Sequence, residues 1–292
     1  MVLEELVSVS TARKHPHNVM FLSLILSSVG IWIAYYMFEE CASLLALAFS
    51  TVGFVPFMHN VLTAEEEEEA EHPGSAMSFL GRHSDLIGIY SWFFIGLLLS
   101  HTFWYLVLPE NKVVNCIGDF CFPVPERDKV FAEQEKAWKF IRGEVTGNLS
   151  KAACLDSLKK DFWSCTLFIY SNNAMVLGLA VLLSFLYGAG AISLIEWNAS
   201  VIGLFIGREI LQKNIMSGIQ TAIGYLPHGI PEIFAYFFGA IAGGIISVAI
   251  TKGKYKTHEF ETIAKDVFVL LVLAYIVLFI AALIESALIV GG

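Results

Sequence analysis

Two uninterrupted apolar stretches, residues 19–38 and 267–284, constrain this chain more than any other feature. Each is close to the roughly 20 residues of helix needed to cross about 30 Å of hydrocarbon. Inside a bilayer every backbone N–H and C=O needs an internal partner, so a chain spans as helices or as a closed barrel. A barrel would show strands of about ten residues with alternating polarity. Neither stretch alternates, so both read as helix. Composition agrees: 56% of residues are hydrophobic and 15% charged, against about a quarter charged in a soluble domain. The expected fold is all-α: a polytopic helical membrane protein with about seven membrane helices, or six if one enters without crossing.

Three spans are expected in residues 1–109: 19–38, 41–62 and 86–108, the last stopped by Pro109. Little more than Glu39 and Glu40 joins the first two, which makes them a tight antiparallel hairpin. Residues 63–85 hold an acidic run around Glu65–Glu69, then the turn signal Pro73-Gly74. The net charge of −9 is therefore largely local. It argues against a nucleic-acid partner, which needs a basic face. Residues 1–17 mix Glu4, Glu5, Arg13 and Lys14 ahead of a span-length block, unlike a cleavable signal peptide.

A polar segment, 110–161, forms a second region. Pro123 and Pro125 break its start. Over 126–141 an imperfect stripe of Val130, Phe131, Ala137, Trp138, Phe140 and Ile141 predicts an amphipathic helix lying on the membrane or on the protein. Phe162, Trp163, Phe168 and Tyr170 then mark a membrane–water interface. Cys116, Cys121, Cys154 and Cys165 cluster here, and on an outer face they would form disulfides. Cys116–Cys121 with Cys154–Cys165 is one of the three pairings that four cysteines allow. Asn148-Leu-Ser150 fits a glycosylation sequon.

The third region, 162–292, is rich in glycine. Spans are expected at 174–195, from Pro227 to just before Lys252, and at 266–290. Between the first two, 199–207 is too short alone. Arg208, Glu209, Gln212 and Lys213 interrupt it before apolar character resumes at 215–226. This predicts a broken or re-entrant helix. Gly203-x-x-x-Gly207 and Gly239-x-x-x-Gly243 have the spacing that lets helices approach closely. Lys252, Lys254, Lys256 and Lys265 follow the penultimate span, and Arg13-Lys14 precedes the first. About seven spans place both on one side, which the positive-inside rule makes cytoplasmic, in a plasma membrane, with 110–161 outside.

Polar residues within spans are costly and mark function by default. Pro227-His228-Gly229-Ile230-Pro231-Glu232 is expected to open a span. His228 and Glu232, four apart, share a helix face. Their structural reading is a helix entry, with Pro231 in the first turn and a carboxylate favoured by the helix dipole. Their chemical reading is a proton site or a divalent metal ion held by His228 and Glu232. One pair is incomplete as a metal site, and no His-Glu-x-x-His motif is present. Asn172 and Asn173 stand before the span at 174–195, and Glu196-Trp197-Asn198 after it. The amides either cap the helix or bond free carbonyls of a broken neighbour. Arg208 and Glu209 lie at the interruption, while Glu285 and His101 are isolated at membrane depth. The candidate intramembrane site is thus His228, Glu232, Asn172, Asn173, Asn198, Arg208 and Glu209, with no catalytic residue identified.

Taken together, Asn172-Asn173, Trp197-Asn198-Ala-Ser-Val-Ile-Gly203 and Leu226-Pro-His-Gly-Ile-Pro-Glu232 with its Gly-rich helix resemble the stage II sporulation protein M family over residues 162–292. The first region, with its hairpin, the Glu-rich stretch after Pro56-Phe-Met-His59 and Arg82-His83, resembles archaeal members. Where the family has asparagine–glycine after the first Gly-rich span, this chain has Asn198-Ala199. The bacterial namesake acts in engulfment during sporulation, in a membrane complex with cell-wall hydrolases. The resemblance therefore implies a scaffold or partner-recruiting component and no catalytic residues. The expected partners are the lipid bilayer and membrane or extracytoplasmic proteins, with a homo-oligomer also accommodated. Two alternatives remain: an intramembrane metal-dependent enzyme centred on His228 and Glu232, and a small-solute or ion transporter. No inverted repeat is evident for the latter.

Overall fold

The structure is a computed structural model that describes residues 8–71, 83–141, 154, 161–187 and 190–291. The acidic-run side chains beyond Glu66, the Pro73-Gly74 turn, Arg82 and the sequon at Asn148 lie outside the described residues. A short helix, α1 (Val9–Lys14), leads into α2 (His17–Met37), and a single 3-10 turn joins α2 to α3 (Ala42–Glu71). After these come α4 (Ser84–Val107), a two-stranded hairpin of β1 (Val113–Ile117) and β2 (Phe120–Val124), and two short helices, α5 (Arg127–Val130) and α6 (Ala132–Ile141). The rear comprises α7 (Phe162–Tyr187), α8 (Ile192–Gln212), α9 (Ile215–Thr251) and α10 (His258–Gly291). Six helices, all but α8 among the long ones, are long and apolar enough to cross a membrane. Glu196, Arg208 and Glu209 keep α8 below that apolarity, yet it is seated between α4 and α9.

Several expected boundaries move, among them the end of the second span, which runs on from 62 to Glu71, and the start of the last, which moves from 266 to His258. The span placed at 174–195 is α7, which starts at Phe162 and ends at Tyr187. Its aromatic start is helix, so Asn172 and Asn173 lie well inside it instead of at its entrance. Gly190 abuts the Leu183 carbonyl, and Ser184 Oγ accepts from Ala191 N at 3.3 Å. The interruption expected before 215 is present, but it comes after Arg208 and Glu209. α8 runs unbroken through Arg208 and Glu209, whose charges are paired, and the break falls at Lys213-Asn214. The Asn214 side chain accepts from Ser217 N at 3.0 Å and caps the next helix. That helix, α9, does not start at Pro227; Pro227 and Pro231 both lie inside it. Each proline removes an N–H from the ladder. Membrane helices tolerate this because neighbouring groups re-satisfy the freed carbonyls.

Close approaches at glycine fix the packing. An added Cβ at Gly203 would sit 2.9 Å from His101 Cβ, and one at Gly207 would sit 2.8 Å from Tyr105 Cδ1, so α8 lies parallel to α4. Gly239 abuts Leu177 and Gly243 abuts Ser184, so α7 lies parallel to α9. One end of the bundle is clamped by charge. Glu65 pairs with Arg13 (2.9 Å) and His83 (2.6 Å); Glu66 pairs with Lys252 (2.9 Å) and Lys254 (3.0 Å). The acidic run thus begins as a buried clamp that joins α1, α3, α4 and the α9–α10 turn.

At the opposite end sits a cap made of the hairpin, α5 and α6. The amphipathic helix expected over 126–141 is α5 and α6, and it lies on the protein. Val130, Phe131 and Trp138 are buried against Tyr35, Tyr105 and Leu204. Tyr35 donates to Glu126 (3.1 Å), Ser43 to Gln134 (2.7 Å) and Gln134 to Ser200 (3.2 Å). The hairpin pairs Cys116 opposite Cys121, and the two are disulfide-bonded; Cys154 is bonded to Cys165.

Candidate functional site

Where α7 and α8 diverge, a cavity of about 390 Å³ opens. The two helices barely touch, while α9 packs against both and forms the floor. α10 closes one side, and Ala137 of α6 reaches it from the cap. Five residues singled out in the sequence line this one space: Asn172, Asn173, Asn198, His228 and Glu232. Glu285, isolated in the sequence, joins them from α10.

The polar groups form a chain across three helices. Asn172 Nδ2 donates to Asn173 Oδ1 at 3.3 Å, and Asn173 Nδ2 donates to Glu232 Oε1 at 2.6 Å. Glu232 is in turn hydrogen-bonded to Glu285, carboxyl to carboxyl. Asn198 is turned partly inward on its own helix, donating to Leu194 O at 2.8 Å. His228 Nδ1 is shielded from solvent and has no hydrogen-bond partner. Its ring meets Tyr225 edge-on at 5.8 Å. Glu232 therefore sits in mid-helix, not at a helix entry, and the capping role expected for it does not apply.

Two expected members are elsewhere. Arg208 pairs with Glu135 at 2.7 Å and stacks 3.8 Å over the Trp138 ring, which ties α8 to the cap. Glu209 pairs with Lys213 at 2.8 Å. Glu196 faces the other way, wholly buried, where Ser50 and Thr51 of α3 both donate to it. His101 is also buried and structural, its Nδ1 2.8 Å from Leu97 O. Sequence reasoning missed the Glu232–Glu285 and Glu196–Ser50 pairings, because each joins residues far apart in the chain.

Aromatic rings complete the wall: Phe168, Phe205, Tyr225 and Tyr236. No lysine or arginine lines the cavity among the described residues. Nor do three or more His, Cys, Asp or Glu side chains come together, among the described residues, in a group that could hold a metal ion. His228 and Glu232 share the cavity, but as a metal site they remain one incomplete pair.

The family model described as stage II sporulation protein M matches residues 23–288, nearly the whole chain. No curated protein and no solved structure matches.

Proposed function

The chain belongs to the stage II sporulation protein M family and is a multi-pass membrane protein, and from that premise we propose that it is a scaffold that recruits protein partners into a membrane complex. The observation that carries this reading is the hairpin. It projects from the cap, with Val113 and Val114 exposed (40% and 55%). Among the described residues its two strands pair only with each other; Tyr36 Oη donates to the Pro123 carbonyl on β2, which leaves the outer edge of β1 as the open one. An open edge is a template for an added strand, and the exposed valines of β1 supply the side-chain contacts. The Cys116–Cys121 bond holds the hairpin in shape before a partner arrives, which lowers the ordering cost of binding.

We place the hairpin outside the cytoplasm, with the N-terminus inside, at the plasma membrane. Arg13, Lys252 and Lys254 gather at the opposite end of the bundle from the disulfides. That arrangement accords with an oxidising compartment for the cysteines; Arg127, Lys129, Lys136, Lys139 and Arg208 stand at the cap end, so the cysteines and not the count of positive charges carry the orientation.

A photo-crosslinking amino acid at Val114, in cells, tests the reading. The expected result is a discrete protein adduct. Val52, 68% exposed on the flank of α3, is the control. Adducts to lipid alone, or the same adducts from position 52, would overturn it.

A further inference from the structure

Glu232 and Glu285 place two carboxyl groups within the span of α9 and α10, and no lysine or arginine lines their cavity among the described residues. Carboxylates inside a membrane normally pair with a cation or retain protons. The surrounding groups narrow which cation would serve. Two carboxyls and three amides offer oxygen acceptors, and four aromatic rings offer π faces. Aromatic faces next to carboxylates favour an organic ammonium group over a bare ion. Size points the same way. About 390 Å³ lies in the range of small-molecule sites, whereas the described residues offer no cluster of metal ligands. Apart from the carboxyl pair, His228 Nδ1, buried in the same wall, has no protein partner and is free to accept an N–H.

The geometry points to a binding site for an organic ammonium group between α7, α8, α9 and α10, with Glu232 and Glu285 supplying the counter-charge and Phe205 and Tyr225 the aromatic face. The group enters where α7 and α8 diverge. It is carried either by a free amine or by an amine-bearing lipid headgroup. This inference concerns ligand binding within the bundle and stands apart from partner recruitment by the hairpin.

The test uses the full-length protein in phosphatidylglycerol nanodiscs, followed by thermal unfolding with ethanolamine, tetramethylammonium, sodium or magnesium chloride. The ammonium salts should raise Tm by several degrees more than sodium or magnesium at equal ionic strength. The shift should vanish in the Glu232→Gln/Glu285→Gln variant and persist in Glu261→Gln, a carboxylate on the exposed start of α10. A second readout needs no variant: tetramethylammonium, but not sodium, should protect Glu232 or Glu285 of the wild type from carbodiimide modification, read by mass spectrometry. A lipid headgroup as the source would show as a higher Tm in phosphatidylethanolamine nanodiscs, with ethanolamine then adding nothing. A free amine as the source would show as an equal ethanolamine shift in both lipids. Absence of any ammonium effect in either lipid, equal stabilisation and protection by sodium, or a shift retained in the double variant would overturn the inference.

Discussion

Asn173 of α7 donates a hydrogen bond to Glu232 of α9 across 2.6 Å, linking two helices whose glycine seam lies a turn or more further along. The bond ties α7 to α9 and holds the carboxyl group on the cavity side, beside Glu285. Removing Asn173 leaves Glu232 without its amide donor. Asn173→Ala should lower unfolding stability by about 1–3 kcal/mol, the cost of an unmet buried polar group. In a Glu232→Ala background the same substitution should cost much less. A double-mutant cycle by denaturant unfolding in micelles measures the difference; additive losses would mean that the contact contributes nothing.

Glycine is used in two ways in this bundle, and substitution should separate them. At Gly203 the nearest atoms to an added Cβ are His101 Cβ at 2.9 Å and Thr102 N at 3.1 Å, both held in a packed helix. Gly203→Val should push α8 off α4 and cost about 1–3 kcal/mol or more. At Gly224 nothing lies within 4 Å. Gly224→Ala should be neutral or stabilise by up to about 1 kcal/mol, because alanine restricts the unfolded chain and favours helix. Thermal unfolding of the two variants side by side gives the answer, and an equal loss from both would refute the distinction.

Much of this arrangement could be read from the residues, for a physical reason. Long apolar runs report spans directly, so α2 and α4 fall close to where 19–38 and 86–108 placed them, while α3 continues past 62 to Glu71 and α10 starts before 266, at His258, because polar residues at a helix end extend it beyond the apolar run. Boundaries set by punctuation misled. Pro227 and Pro231 signal a helix start in water, but in α9 they are interior. Arg208 and Glu209 signal a break, but partners in the cap and one turn away keep them in helix. The hairpin did leave a trace. Gly118-Asp119 separates two runs of β-branched and aromatic residues, and Gly118 takes the positive φ of 62° that such a turn favours. The polar cavity was half legible: helical spacing aligned His228 with Glu232, but nothing local tells that Glu285, more than 50 positions away, completes the carboxyl pair.

Glu196 should behave as a structural carboxyl, unlike Glu232. It is fully buried and its partners, Ser50 and Thr51, sit on one turn of α3. Replacing both donors, as Ser50→Ala/Thr51→Val, strands the carboxyl and should cost more stability than Glu196→Gln, which keeps an acceptor oxygen. The expected gap is about 1–3 kcal/mol. Neither variant should alter ligand-dependent stabilisation, since Glu196 lies outside the cavity wall. Unfolding curves with and without an ammonium salt check both points, and a ligand effect lost on mutating Ser50 and Thr51 would count against the separation of the two sites.

The join between bundle and cap rests on a side chain whose shape matters as much as its charge. The Arg208 guanidinium lies 3.8 Å over the Trp138 ring and pairs with Glu135, which also accepts from Tyr105 Oη at 2.6 Å. Lysine at this position would keep the charge but lose the flat stacking surface. Arg208→Lys should therefore loosen α6 by roughly 0.5–2 kcal/mol, the range for a partly shielded cation–π contact. Hydrogen exchange is the measurement: amides of α6 should exchange several-fold faster, while those of α9 at 235–249, buried in the bundle core, should not change. Unaltered protection in α6 would show that the apolar seating of Val130, Phe131 and Trp138 holds the cap by itself. Trp138→Leu would then be the more damaging change. With the stack contributing, Arg208→Lys in a Trp138→Leu background should add little further loss.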